Sequence, residues 1–385
     1  MSHRVDVEKK VLILGGTPDA GWVADELARL GYQIAWVSAE GLPATKLASP
    51  QVSTYENYTL SRLDGHVGSF RARFQGNGGP LDIAASALVV ATGNERYSPP
   101  EYGIGPSAHV LTVPQVQRQL DAPRTTGAAL SYRNQRMALL LDWGGETPKE
   151  TATEALELAI RIREQWHAEV NVFYRNLQVD TYNLERLTRQ MRERGIVFNR
   201  YDTLKVDVQE EGVDLSYVEG AIRTDLLILP DMVRPRSDTR DLAALLNVNV
   251  GEDGYFQDVN IRQYRPGLSN RQGIFFAGRC HMDASLIEAQ ADAVQAAANV
   301  DALLGQGFLT PEEIIAHVDS TKCVRCLTCV RTCPHAAVEI AEYEDVVAAR
   351  VADLACRGCG ACVANCPVRA IELVGQAMPA WMQTP

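Results

Sequence analysis

Cys323-Val324-Arg325-Cys326-Leu327-Thr328-Cys329-Val330-Arg331-Thr332-Cys333-Pro334 is answered later in the chain by Cys356-Arg357-Gly358-Cys359-Gly360-Ala361-Cys362-Val363-Ala364-Asn365-Cys366-Pro367. Each cysteine of the second run lies 33 positions after its counterpart in the first. The match continues past the cysteines, pairing Ala337 with Ala370, Val338 with Ile371, Glu339 with Glu372 and Ile340 with Leu373. This is an internal duplication, each half a cysteine loop followed by a short apolar strand. Three thiolates at i, i+3 and i+6 can grip three irons of a cubane, and the fourth cysteine of each run reaches across to the other cluster. Two [4Fe-4S] clusters are therefore expected, one on Cys323, Cys326, Cys329 and Cys366, the other on Cys356, Cys359, Cys362 and Cys333. A zinc knuckle would use two well-separated Cys-x2-Cys pairs, and a disulfide framework has no need of this repeat. The iron–sulfur reading is preferred.

The rest of the composition sets bounds. A chain of 385 residues can form two or three domains, and 46% hydrophobic with 22% charged residues is ordinary for a globular protein. The net charge of −11 argues against nucleic acid or an anionic membrane as partner. No apolar run approaches the roughly 20 residues that span a bilayer, so no membrane insertion is expected. Met1-Ser2-His3-Arg4 is polar and lacks a signal-peptide core. Eight of the nine cysteines are committed to clusters, which implies a reducing, cytoplasmic and oxygen-poor setting.

Toward the amino terminus, the apolar strand Lys10 to Leu14 runs into Gly15-Gly16-Thr17-Pro18-Asp19-Ala20-Gly21. The following helix carries Trp22, Val23, Leu27 and Leu30 on one face, with Thr17 as its expected cap and Pro18 at its first position. Tyr32 to Val37 is the next strand. Strand, glycine turn, helix and strand begin a dinucleotide-binding unit, against the plainer reading of a structural strand–turn–helix. Counted to Gly21, the turn is one residue longer than G-x-G-x-x-G. Asp19 puts a negative charge where a pyrophosphate would lie and is expected to turn to solvent. The acidic residue expected after the second strand is replaced by Ser38, with Glu40 two positions on. Candidate dinucleotide contacts here are Gly15, Gly16, Thr17, Ala20, Gly21, Ser38 and Glu40. Gly76 to Pro80 reads as a hairpin turn.

Further on, Ala87 to Val90 ends in Ala91-Thr92-Gly93. Arg136 to Leu141 leads through Asp142-Trp143-Gly144-Gly145-Glu146 to a helix from about Lys149 to Trp166, then come Glu169 to Tyr174 (strand), Leu184 to Arg194 (helix) and Ile196 to Asn199 (strand). This second strand–helix–strand unit lacks spaced glycines, and Glu146, Glu150 and Glu154 add acid. It is read as a vestigial nucleotide fold serving as scaffold or docking surface. Leu226 to Leu229 enters a crossover at Pro230 to Pro235. Ile274-Phe275-Phe276-Ala277-Gly278-Arg279-Cys280-His281-Met282-Asp283 precedes an Ala-rich helix, Leu286 to Leu304. Cys280 is either a buried free thiol or a group with a redox or packing role beside a cofactor. Thr310-Pro311-Glu312-Glu313 predicts a capping box opening a short helix into the cysteine segment.

The doubled cysteine run resembles bacterial-type two-cluster ferredoxins. Ala91-Thr92-Gly93 resembles the second fingerprint of two-dinucleotide-binding-domain flavoproteins, and Ala277-Gly278 before a long helix resembles their third. Taken in order, these features resemble the A-type subunit of heterodisulfide reductase and its bacterial relatives. The residues carrying that likeness are Val11 to Gly16, Val90 to Gly93, Pro100 to Gly105, Val172 to Arg175, Gly273 to Gly278 and the two cysteine runs. The resemblance implies an α/β, thioredoxin reductase-like flavoprotein with a C-terminal α+β ferredoxin-like domain. The implied layout is a FAD-binding domain over 1–130 and 226–306, a degenerate nucleotide-binding-like domain over 131–225, and a linker helix with the 2[4Fe-4S] domain over 307–385. It further implies FAD contacts from Ala91, Thr92, Gly93, Gly278, Arg279, Cys280 and Asp283. The usual acid after the glycine is Arg279 here, and the extra cysteines of the family's middle domain are absent.

The favoured function is an oxidoreductase, an electron-transfer subunit that passes electrons between FAD, two clusters and other iron–sulfur or flavin subunits. A homodimer within such a complex is compatible with it. One alternative is a self-contained NAD(P)H:acceptor oxidoreductase resembling the small subunit of glutamate synthase. The other is a non-catalytic iron–sulfur wire whose flavin site is lost, a reading favoured by Pro18, Asp19, Ser38 and Arg279.

Overall fold

The computed structural model describes residues 4–43, 49–98, 102, 104–105, 107–122, 132–179, 182–259, 265–343 and 346–375. Pro100, Glu101 and Gly103 of the quoted likeness lie outside the described residues. The chain forms two units: Met1–Gly93 with Pro235–Met282 and Ala289–Pro385, and Asn94–Arg234 with Asp283–Glu288.

The first unit holds a five-stranded parallel sheet in the order Ile274–Phe276, Ala87–Val90, Lys10–Leu14, Gln33–Ser38, Val52–Glu56. Val11 to Leu14 and Ala87 to Val90 are buried without alternation, as strands covered on both faces must be. The helix Pro18–Arg29 packs Ala20, Val23, Ala24 and Leu27 into this core. A three-stranded antiparallel sheet, Tyr58–Asp64, Phe70–Gly76 and Gly79–Ala85, closes its second hairpin through Asn77-Gly78.

The cysteine segment belongs to the same unit. Its two repeats exchange strands: Ile314–Val318 pairs antiparallel with Ile371–Gly375, and Val338–Tyr343 with Val346–Val351. The first strand of each repeat thus pairs with the last strand of the other. Short helices, Thr328–Thr332 and Ala361–Ala364, lie between. The helix expected to open at Thr310–Glu313 does not form. Phe308–Leu309 instead pairs with Val5–Asp6, and residues 314–318 are a strand. The β-branched Ile314, Ile315 and Val318 suit a ladder, and the available partner strand decides the outcome over the local cap signal.

The second unit has its own parallel sheet, ordered Val110–Thr112, Leu226–Leu229, Arg136–Leu140, Glu169–Tyr174, Val197–Arg200. Val110–Thr112, an edge strand of that sheet, places its stretch of chain in this unit. The Lys149–Gln165 and Leu184–Glu193 helices cover it, and Leu204–Gln209, Gly212–Tyr217 and Gly220–Thr224 form an antiparallel meander. The architecture is α/β with two dinucleotide-type parallel sheets, plus an α+β ferredoxin-like module. Among the described residues no helix is long and apolar enough to cross a membrane.

Candidate cluster module and nucleotide cavity

The two cysteine loops follow the same path because both enter left-handed backbone at equivalent positions. Gly358 and Gly360 have φ of +61° and +76°, and Arg325 and Leu327, 33 residues earlier, have +57° and +64°. Ala336 and Arg369, also 33 apart, both have φ of +50°. Non-glycine residues held there cost on the order of 1–3 kcal/mol each, so a surrounding constraint must hold them. At Gly358 a Cβ would fall 2.5 Å from Ile314 O, which leaves no room for a side chain.

Cys323, Cys326, Cys329 and Cys366 line one cavity, and Cys333, Cys356, Cys359 and Cys362 line another. Each set takes three cysteines from one run and the last from the other, because Cys333 and Cys366 precede the strands that the repeats exchange. Backbone N–H groups point at the sulfurs in the same symmetry. Ala370 donates to Cys366 (3.2 Å), Ala337 to Cys333 (3.4 Å), Ala316 to Cys356 (3.3 Å) and Ala349 to Cys323 (3.5 Å). Among the described residues no group of three or more His, Cys, Asp or Glu is spaced to hold a single metal ion. Eight thiols around two cavities, each with N–H donors, fit a pair of cubanes in donor chemistry.

A cavity of about 270 Å3 opens beside the glycine turn, lined by Gly15, Gly16, Thr17, Ser38, Glu40 and Thr92 among others. Gly15, at φ +139°, could not carry a Cβ without striking Ala91 O, nor Gly16 without approaching Ser38 Oγ (2.5 Å). The turn length needs correction. The helix starts at Pro18, Ala20 is fully buried as the third small residue, and Gly21 faces the Trp36 ring. Counted to Ala20, the spacing is the ordinary one. Thr17 takes the cap position without capping; its Oγ1 donates to Ala91 O (2.8 Å), and Gly93 (φ +73°) lies against its methyl. Ser38 Oγ accepts from Glu40 N (3.1 Å), and Glu40 pairs with Arg236 (3.1 Å). Tyr58, Phe74 and Leu242 supply apolar walls that sequence reading does not find. They arrive from the antiparallel strands and the Thr239–Leu246 helix, with no local motif to mark them. Glycines, a hydroxyl and apolar walls at the end of a parallel sheet fit the adenosine half of a dinucleotide.

Asp19 does not turn to solvent. It is 1% exposed and bound to Arg279, whose N–H and Nη1 donate to its two carboxylate oxygens at 2.9 and 2.8 Å. Burial pushes the Asp19 carboxyl upward, and Arg279 opposes it. Gly278 (φ +69°) is required because a Cβ would strike that carboxylate, and its N–H donates to Asp292 (2.7 Å). His281 lies between Asp258 (3.2 Å) and Asp292 (2.9 Å). Burial acts to lower its pKa, but the two carboxylates prevail and it is pushed up to about 9. The Cys280 thiol, 2% exposed, donates to Val90 O (3.1 Å) and Ala277 O (3.3 Å), and burial holds it far above the ordinary thiol range. Gly278 and Arg279 therefore sit against Asp19 and Cys280 against Val90 and Ala277, and none of the three lines the cavity. Asp283 lies in the second unit, accepting from Lys149 N (3.1 Å).

In the second unit the turn is filled by its own acid. Asp142, buried at φ +58°, accepts from Thr147 N (3.0 Å), Arg175 N (2.9 Å) and Asn176 N (3.1 Å). Its carboxylate thus takes backbone donors just past the strand Glu169–Tyr174 and just before the Lys149–Gln165 helix, and Pro148 stands at the cap position of that helix with no side-chain donor or acceptor to offer. Glu150 and Glu154 do not stand as free acid: Arg96 pairs with both, at 2.7 and 2.8 Å.

Residues 316–373 match the 4Fe-4S dicluster domain model. The chain is 28% identical over 289 residues to an A-type iron–sulfur subunit of the CoB–CoM heterodisulfide reductase of Methanopyrus kandleri, covering 68% of this chain and 44% of that one. It is 25% identical over 284 residues to the A-type subunit of the ferredoxin/F420H2-dependent CoB–CoM heterodisulfide reductase of Methanosarcina acetivorans, covering 68% and 36%. A protein of Archaeoglobus profundus, itself like the A-type subunit of heterodisulfide reductase, is 32% identical over 125 residues, 32% of this chain and 18% of that one. The chain spans less than half the length of these relatives. Among solved structures, T. acidophilum thioredoxin reductase aligns with a TM-score of 0.49 at 14% identity, covering 77% of this chain and 99% of that one. The chain is thus similar to heterodisulfide reductase A-type subunits over two thirds of its length and carries a 4Fe-4S dicluster domain at residues 316–373.

Proposed function

We propose that the chain is an oxidoreductase subunit that transfers electrons within a heterodisulfide reductase-like complex. In this reading Cys323, Cys326, Cys329 and Cys366 hold one [4Fe-4S] cluster and Cys356, Cys359, Cys362 and Cys333 the other. FAD places its adenosine half in the cavity at Gly15 to Thr17. The observation that carries the reading is the pair of four-cysteine cavities inside a dicluster domain. When bound, the flavin exchanges electrons in pairs and the clusters one at a time. The chain's own part is to orient and to exclude water. The alanine N–H groups fix the sulfurs, the glycines admit backbone to the dinucleotide, and Arg279 and Asp19 keep a buried, mutually neutralised pair at the helix start. Partner subunits of iron–sulfur or flavin type are the expected donors and acceptors. On anaerobically purified protein, iron analysis should give about eight irons per chain, and denaturation should release one flavin. Finding zinc, or one cluster's worth of iron, would sink the cluster assignment.

A second reading, a cluster wire without flavin, is favoured by one observation. The Asp19 carboxylate sits buried at the start of the helix that would face the pyrophosphate. Protein that carries its iron but releases no flavin would establish it.

NAD(P)H is not the direct donor in either reading. The Asp142 carboxylate already takes the donors a nucleotide would use and would repel its phosphates. Mixing the cofactor-replete chain with NADH or NADPH should leave the flavin band unbleached within seconds. Fast bleaching by either would instead promote the self-contained oxidoreductase.

A further inference from the structure

The helix Thr239–Leu246 lines the nucleotide cavity through Asp241, Leu242 and Leu245. It is too short to persist in water by itself, so its place depends on tertiary ties. Two neighbouring side chains tie its carboxyl end from behind. Arg271 Nη1 donates to Leu246 O (2.8 Å), and Asn270 Nδ2 donates to Asn247 O (3.3 Å). Arg271 Nη2 also donates to Gly65 O (2.7 Å), between the strands Tyr58–Asp64 and Phe70–Gly76. Those strands supply Tyr58 and Phe74 to the same cavity. One guanidinium therefore braces the helix and the hairpin together.

The brace does not tolerate partial loss. Arg271 is 6% exposed, lies over the Phe70 ring and makes no ion pair among the described residues. Burial pushes its pKa down to about 10. A buried cation held only by carbonyl oxygens is stranded when one of them moves away.

The same stretch of chain reaches one cysteine quartet. Asn270 Nδ2 donates to Pro334 O (2.7 Å), and His335 Nδ1 donates to Asn270 O (3.1 Å), just after Cys333. Arg357, next to Cys356, donates to Gln272 Oε1 (3.2 Å). Asn270 Oδ1 accepts from Asn249 N (2.9 Å), so both ends of its amide are engaged. Among the described residues, no hydrogen bond or ion pair ties the other quartet's loops, 319–332 and 366–370, to the chain before Thr310.

We propose that Asn270 and Arg271 are positioning residues that couple the nucleotide cavity to the quartet of Cys333, Cys356, Cys359 and Cys362. A dinucleotide in the cavity steadies the cluster in that quartet and leaves the other cluster unaffected. Arg271 has two arrangements open to it, bonded to the helix end or withdrawn to water. A ligand that fills the cavity gains Leu242 and Leu245 only while the helix is in place, so it favours the bonded arrangement. The held helix end keeps Asn247 O within reach of Asn270, and Asn270 holds the loop behind Cys333. Both sites thus bias one element, as coupling requires. The inference rests on FAD in the cavity and a cluster in each quartet, as proposed above.

Anaerobic iron release to a ferrous chelator, from flavin-free and FAD-saturated chain, measures the coupling. Iron and flavin are counted first. With FAD bound, about four of the eight irons should leave about fivefold more slowly, and the rest at an unchanged rate. Electron paramagnetic resonance of the partly stripped protein should show the surviving cluster to be the one that Cys356→Ser lacks. Asn270→Ala, which lines neither the nucleotide cavity nor the cysteine cavities, should release all its iron at rates indifferent to FAD. Gln295→Ala, an exposed change on the Leu286–Leu304 helix, should keep the protection. Where Asn270→Ala holds too little of either cofactor, the native chain decides alone. Native release indifferent to FAD, slowed equally for all the iron, or slowed only for the quartet of Cys323 would each overturn the proposal. So would protection that survives Asn270→Ala intact. A chain that holds no flavin, or a single cluster, fails the function proposed above and takes this inference with it.

Discussion

Replacing Cys366 by serine should remove the cluster gripped by Cys323, Cys326 and Cys329 and spare the one beside Cys366 in sequence. Iron is expected to fall from about eight toward four per chain. Cys366 lines the cavity of the first run, and Ala370 N–H aims its sulfur there. A serine oxygen is a harder, poorer ligand for iron than a thiolate. The decisive comparison is among four variants examined by electron paramagnetic resonance after reduction. Cys366→Ser and Cys323→Ser should leave one and the same residual signal, and Cys333→Ser and Cys356→Ser the other. Pairing by run, with Cys366→Ser resembling Cys356→Ser, would refute the crossed assignment.

The ligand spacing that supports this prediction is legible because it is contiguous; the chain brings three of each four thiolates together within seven residues. The preceding strand is harder to read, although its signal is present. The 33-residue match extends backward to Ala316 with Ala349 and Val318 with Val351. Thr310-Pro311-Glu312-Glu313 points to a helix start instead. A cap can begin a helix only where no strand partner is waiting, and residues 371–375 are waiting. The glycine turn misleads for a related reason: Gly21 looks like the third glycine, yet the position facing the sheet is Ala20. Asp19 and Arg279 each read as a defect in its own motif. They are 260 residues apart, and only the fold shows that each answers the other.

That pairing sets up the second large effect. Arg279→Met should destabilise the first unit by about 3–5 kcal/mol, the usual result of stranding one partner of a buried ion pair. The double variant Asp19→Ala/Arg279→Met should recover most of the loss, because two apolar side chains need no partner. With Asp19 already raised by burial and its cation gone, the carboxyl will fold most easily in its neutral form. The sign follows: the defect of Arg279→Met should be smallest in acid and grow as pH rises toward and through the folded-state pKa of Asp19. Anaerobic thermal melting at several pH values, with iron content checked, reads both the loss and its rescue. Equal destabilisation of the single and double variants would show that packing around residue 279, and not charge, is what matters there.

The exchanged strands of the cysteine module have a consequence for its origin and assembly. One repeat by itself has a first strand with no neighbour, a last strand with no neighbour and, in the crossed assignment, a fourth cysteine directed away from the cubane that its first three would grip. Two identical copies related by a two-fold axis would cure all three deficits at once, each lending the other a strand and a cysteine. A half-length peptide of this kind is a homodimer by construction. Gene fusion would convert that dimer into the present chain while leaving its rotational symmetry visible at Arg325 and Gly358, and at Ala336 and Arg369. Under the crossed ligation proposed above, neither cluster could mature before the whole module had been synthesised, because each would await a ligand from the opposite half.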